Sequence, residues 1–252
     1  MYHSIDFISE SDARKNTYYD WHLVPSTRPT ISMPPVKTSY VDIPGASGKL
    51  DLSESLTKYP VYDNRTGSID FIVLNNYQTN DKSWLRLYES IAEFVHGKRL
   101  KMVLEDDKLG GSAYYYYEGR FDISWNSDNS GKWSTVTFNY DLEPYKYNSL
   151  GGDIFWNLTQ NGGAHWTIND NYLNVSSMPT IPTFEIANIG SYGVDIELVN
   201  DELGIHTTKS IEDNGTYTFY DMILSNIHKN NTLELNITGH GQIKITWRNG
   251  EL

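Results

Sequence analysis

The sequence predicts a mainly β protein built in two parts, with one long α-helix in the first part and a β-sandwich in the second. Three observations support that class. Short runs of alternating apolar and polar residues recur along the chain, the two-residue period of strands half-buried on one face. From Lys82 to His96, by contrast, apolar residues fall at Trp84, Leu87, Tyr88, Ile91, Phe94 and Val95, the three-and-four spacing of an amphipathic helix. The charge is also uneven: residues 1–150 hold 16 Lys plus Arg against 20 Asp plus Glu, and residues 151–252 hold 4 against 12. That change coincides with Asn148-Ser149-Leu150-Gly151-Gly152 after Pro144, a turn-rich stretch that reads as a linker. The expected domains are therefore 1–147 and 153–252, joined by 148–152.

In the first part, Ser68 to Leu74, Lys101 to Leu104 and Trp133 to Tyr140 alternate as strands do. The helix between the first two has Asp81 placed to cap its start and Gly97 placed to take a left-handed conformation past its end. In the second part, Gly193 to Val199, Thr216 to Tyr220, Thr232 to Ile237 and Gln242 to Trp247 alternate in turn. Asp213-Asn214-Gly215 and Gly239-His240-Gly241 are the turn signals expected to separate them. Short strands at such spacing favour a β-sandwich.

Composition narrows the function classes. Of 252 residues, 38% are hydrophobic and 21% charged, which places the chain among globular proteins. The start, MYHSIDFISESDARKN, lacks the basic and apolar stretches of a secretory signal, so Sec-type export is not expected. No apolar run approaches the roughly 20 residues of a membrane span, and no membrane insertion is expected. Six N-x-S/T sequons, beginning with Asn64 and Asn157, then read as turn chemistry. With no cysteine, disulfides, thiolate zinc sites and cysteine nucleophiles are all excluded. A net charge of −12 argues against general nucleic-acid binding and suits a conduit through which DNA slides without sticking.

No catalytic or cofactor site emerges from the motifs. Gly45-Ala46-Ser47-Gly48-Lys49 looks like the end of a phosphate-binding loop, but that loop needs G-x-x-x-x-G-K-[ST]. Here two residues separate the glycines, and Leu50 stands where the hydroxyl should be. The seven histidines, at 3, 22, 96, 165, 206, 228 and 240, lie outside ligand spacing, so no metal site is expected. Glu105-Asp106-Asp107 is the densest carboxylate cluster, yet neighbours on a strand face opposite ways, and a glycosidase needs a pair facing across a cleft. It reads as an acidic strand end. Of the tyrosines Tyr114 to Tyr117, a strand would turn two inward and two outward. Trp156, Trp166 and Tyr172 are candidate sugar-stacking or partner-contact residues, with core packing as the alternative.

Several segments of the first part together carry a family resemblance. Trp21-His22-Leu23-Val24-Pro25-Ser26-Thr27-Arg28-Pro29, then Pro34-Pro35-Val36-Lys37-Thr38, then Ile43 to Glu54, resemble the opening of phage distal tail (Dit) proteins of long non-contractile tails. The likeness continues through His96-Gly97-Lys98-Arg99-Leu100, Leu104 to Asp107, Tyr117-Glu118-Gly119-Arg120-Phe121 and Asp141 to Tyr147, in order and spacing. It covers residues 20–147. The resemblance implies an N-terminal β-sandwich with one helix, which builds a hexameric ring around the DNA channel at the tail tip. It implies a C-terminal galectin-like β-sandwich, and partners in the tail tube protein above and in tail-associated and receptor-binding or baseplate proteins below. The location it implies is the virion tail tip, after synthesis in the host cytoplasm.

A ring uses two different surfaces per subunit, and its closure depends on their geometry. Trp21, Pro25, Arg28, Pro29, Pro44, Gly45, Gly48 and Asp51 are therefore the interface candidates. Pro44 fixes one backbone angle and the two glycines permit positive-φ turns, so Ile43 to Asp51 reads as a shaped connection that helps present an N-terminal arm to a neighbour. A turn internal to the domain is the alternative. Arg28 is expected to pair with a carboxylate such as Asp51.

Overall fold

The computed structural model describes residues 3–45, 47–55, 57, 59–74, 81–110, 113–127, 134–167, 175–176, 178–191, 193–200, 204–225 and 233–252, with backbone alone at 81–84 and at some positions within strands. The expected cap at Asp81, the side chains of Trp84 and Trp133, and all of Tyr172 thus lie outside the described residues. The chain is mainly β and divides into two compact units, residues 1–149 and 150–251.

The first unit contains β1 (Ile5–Ile8), β2 (Arg14–Asn16), β3 (Leu23–Pro25), β4 (Tyr40–Asp42), β5 (Lys49–Asp51), β6 (Arg65–Val73), α1 (Asp81–Val95), β7 (Lys98–Leu104), β8 (Lys108–Gly110), β9 (Ala113–Ser127), β10 (Ser134–Leu142) and β11 (Lys146–Asn148). The main sheet is antiparallel in the order β2-β1-β7-β9-β10-β6-β3, with β8 and β11 added along β9. Alternation decides its faces: Val136, Phe138, Tyr140 and Leu142 of β10 are buried, while Asn139 and Asp141 between them are exposed. The helix closes this core with Leu87, Ile91 and Val95 and ends where Gly97 takes φ +72°. Phe7 sits at the centre of an aromatic group, its ring 5.2 Å from Phe121, 5.4 Å from Phe138 and 6.1 Å from Trp21. Each such buried side chain contributes about 1.5–3 kcal/mol through removal from water.

The second unit contains β12 (Gly152–Thr167), β13 (Thr183–Ala187), β14 (Val194–Asn200), β15 (Ile205–Ile211), β16 (Gly215–Thr218) and β17 (Glu234–Trp247). Here the structure corrects the sequence reading, because Gly239-His240-Gly241 does not separate two strands. β17 runs through it without a break, pairing with β14 on one side before the glycines and with β13 on that side after them. β12 accompanies β17 along the other side, with a register shift between Leu158 and Gly162. Leu235, Ile237, Ile243, Ile245 and Trp247 all bury the same face and join one core cluster. One continuous buried face around one core requires the sheet to fold over at the glycines, which produces the two layers of a sandwich. Only glycine fits there: Gly239 has φ +127°, and a Cβ on it would lie 2.2 Å from the Gly193 carbonyl oxygen.

Candidate assembly interface

Strands β4 and β5 form a two-stranded sheet of their own, paired Tyr40 to Asp51, Val41 to Leu50 and Asp42 to Lys49. All six strand residues are exposed. Between them, Gly45 at φ +82° and Gly48 at φ +86° make the turn, and a Cβ on either would meet nothing within 4 Å. These glycines serve backbone conformation rather than close approach to a ligand. Towards the body, the hairpin continues through the Val36 to Tyr62 bridge, a Lys37–Asp63 ion pair at 3.2 Å and a hydrogen bond from the Asp63 N–H to the Pro35 carbonyl. The resulting arm exposes Met33, Val36, Tyr40, Val41, Ile43, Leu50 and Leu52, seven apolar side chains spread over one element. Val41 and Leu50 share one face of the hairpin and Tyr40 the other; a lone hairpin is marginal in water, which makes this exposed apolar arm a candidate contact surface.

The root of the arm is fixed by a residue that sequence reading overlooked. Arg65, 2% exposed at the start of β6, donates from Nε to the Pro144 carbonyl at 2.8 Å and from Nη1 to the Ser32 carbonyl at 2.9 Å. Ser32 precedes the outgoing limb of the arm and Arg65 follows the returning one, so one guanidinium holds both limbs against the body. Its Cζ lies over the Tyr117 ring, 5.5 Å from the centroid, and burial pulls its pKa below the usual value. Beside it, Asn64 donates to Asp141 at 2.8 Å and Tyr62 meets Tyr145 edge to face at 6.0 Å. Burial, together with Tyr62 and Tyr59, pushes the Tyr145 hydroxyl up to about 12. It therefore stays neutral, and it packs against Tyr62 at the root of the arm.

The residues singled out in the sequence are distributed unevenly around this feature. Pro44, Gly45, Gly48 and Asp51 lie on the arm itself; Pro25 ends β3 and Pro29 is half-buried beyond it. Trp21 is 1% exposed and packs edge to face on Phe94 at 5.7 Å, so it shapes the core beneath the surface instead of offering a contact. Arg28 does not pair with Asp51. It chelates Asp106 from Nη2 at 2.8 Å and Nε at 3.2 Å, which holds that carboxyl below its usual range. Asp51 instead accepts from the Ser53 hydroxyl and backbone N–H, the local turn bond an exposed aspartate two residues upstream readily makes.

Glu105, Asp106 and Asp107 form a 3-10 turn and not a strand end, and each faces a different base: Lys108 at 2.7 Å, Arg28 at 2.8 Å and Lys146 at 3.6 Å. That arrangement fastens three segments together rather than aiming two carboxylates at one substrate. The tyrosine run also departs from simple alternation. Tyr116 and Tyr117 are both buried, Tyr117 in the main core and Tyr116 beneath Tyr147 of β11 at 5.6 Å. Arg14, Lys146, Lys101 and Arg65 lie 4.9–5.9 Å from the centroids of Tyr114, Tyr115, Tyr116 and Tyr117 respectively. Cations occupy ring faces that a sugar would need. In the second unit Trp166 is 3% exposed and belongs to the core, with Trp156 packed edge to face against it at 5.8 Å and 37% exposed. Of the three candidate stacking residues, Trp166 has no bare ring face to offer, Trp156 keeps a partly exposed ring, and Tyr172 lies outside the described residues.

No protein-family model matches the sequence, and no curated protein is detectably similar to it by sequence. Comparison with solved structures is decisive for the fold. The crystal structure of the SPP1 Dit protein (gp 19.1), a paradigm of the hub adsorption apparatus in phages that infect Gram-positive bacteria, matches 98% of this chain with 99% of its own. The fold is Dit-like. The TM-score is 0.59 at 12% sequence identity, so the likeness rests on architecture across both units and not on shared residues. A Dit-like fold accounts for the mainly β content, the single long described helix and the second β unit together. Among the described residues, no helix is long and apolar enough to cross a membrane.

Proposed function

We propose that this chain is a distal tail hub of a long, non-contractile-tailed phage or prophage. Six copies close into a ring around the DNA channel, each arm laid against the next subunit. The ring joins the tail tube protein above to tail-associated and receptor-binding or baseplate proteins below, at the tip of the virion tail. The single observation that carries this reading is the arm: an exposed hairpin with apolar side chains throughout, on a chain whose fold matches a hub protein from end to end. A heterologous contact of this kind closes into a ring when its rotation is right. The acidic balance of the chain suits a channel wall that DNA passes without binding.

The absence of cysteine makes a direct test simple. Val41→Cys, on the exposed hairpin, gives one attachment point for a photo-crosslinker. Illumination is expected to yield intersubunit ladders ending at a hexamer. Crosslinks confined to the same chain would count against the arm as the ring contact.

A further inference from the structure

An exposed sheet face of the second unit carries a shallow groove of about 300 Å³. Its position follows from strand register. Phe155 of β12 stands opposite Lys244 of β17, Lys244 opposite Glu185 of β13, and Glu185 opposite Thr216 of β16. Four strands thus set an aromatic ring, a cation, an anion and a hydroxyl in one row, with Gln242 in the next row along β17. A single exposed phenyl ring is ordinary. What distinguishes Phe155, at 57% exposure, is its setting among hydrogen-bonding groups with unused capacity.

Gln242 accepts from Asn188 at 2.8 Å through its carbonyl oxygen, which leaves its amide N–H groups available. Lys244 and Glu185 are 3.6 Å apart, beyond a good hydrogen bond, so each retains hydrogen-bonding capacity for a ligand hydroxyl that approaches both from solvent. The two charges also cancel, in a unit that is otherwise strongly acidic. A groove with no net charge gives little advantage to phosphate, sulfate or an acidic peptide. It fits a neutral molecule with one apolar C–H face for the ring and several hydroxyls that donate to the carboxylate and accept from the ammonium and amide.

We propose that this groove binds a neutral saccharide, stacked on Phe155 and oriented by Glu185, Lys244, Gln242 and Thr216. Its size is at the small end for ligand sites and holds a short stretch of glycan rather than a long one. The site lies on the opposite face of β12 from Trp156, because adjacent strand residues project to opposite sides. Every residue in it belongs to the second unit, whereas the hairpin proposed as the ring contact belongs to the first.

Saturation-transfer NMR on the full chain tests this with maltotriose, cellotriose and chitotriose as probes. At least one is expected to receive saturation, strongest on its ring C–H protons. Phe155→Ala should weaken binding by about three- to tenfold. Gln242→Ala should also weaken it, which keeps the test sound if the first variant loses its fold by circular dichroism. No transfer to any of the three probes, or equal transfer in folded Phe155→Ala, would overturn the proposal. Ring formation, read separately by light scattering, is expected to be unchanged in both variants.

Discussion

Arg65 and Asp6 show how single polar residues fix the first unit. Removing Arg65 leaves the Ser32 and Pro144 carbonyls without their charged donor, so Arg65→Met is expected to cost about 3 kcal/mol in chemical denaturation. Arg65→Lys should restore little, because one ammonium does not reproduce the two-pronged geometry. Both variants should become sensitive to limited proteolysis between residues 33 and 64, where the arm's root comes loose. Asp6 offers a pH signature. Burial pushes its carboxyl up, but hydrogen bonds from Arg14, Asn16 and Lys108 outweigh that and hold it below the usual value. A depressed folded-state pKa contributes stability that is present above the unfolded value, near 3.9, and lost as pH falls through the folded value. Melting temperature should therefore drop on the acid side in the native chain, and Asp6→Asn should flatten that limb.

At the scale of elements, the arm and the folded-over sheet respond oppositely to glycine replacement. Gly45→Val and Gly48→Val force a branched side chain into positive φ, costing the hairpin about 1–2 kcal/mol each. Because β4 and β5 bury nothing in the core, the melting temperature of the isolated chain should barely move while assembly is impaired. Gly239→Ala meets both positive φ and the Gly193 carbonyl, and should lower the stability of the second unit by about 3 kcal/mol or more, measured by calorimetry. The contrast also explains what the sequence disclosed. The helix period of Leu87, Ile91 and Val95 is local, and it was legible. Gly239-His240-Gly241 has the composition of a turn, and only the approach of the Gly193 backbone shows that the strand passes straight through. Tyr40, Val41 and Leu50 look the same in sequence whether they face their own core or another subunit, so the arm's exposure was not legible, and neither was the partnership of Arg65 with two distant carbonyls.

For the whole molecule, fold and charge point the same way. A Dit-like architecture spans 98% of the chain at 12% identity, so very different sequences satisfy one fold. Buried positions such as Phe7, Phe71 and Phe138 require only apolar residues of suitable volume, so many sequences meet the same packing demand. In the proposed ring the functional demand falls elsewhere, on the surfaces by which one subunit would meet the next. Negative-stain imaging of the purified protein, with light scattering for mass, tests that demand most directly. The predicted result is a six-fold ring with an open centre, lost when residues 40–52 are replaced by a short glycine-serine link. A chain that stays monomeric at every concentration, even with the proposed tail tube and tail-associated partners present, would contradict the account.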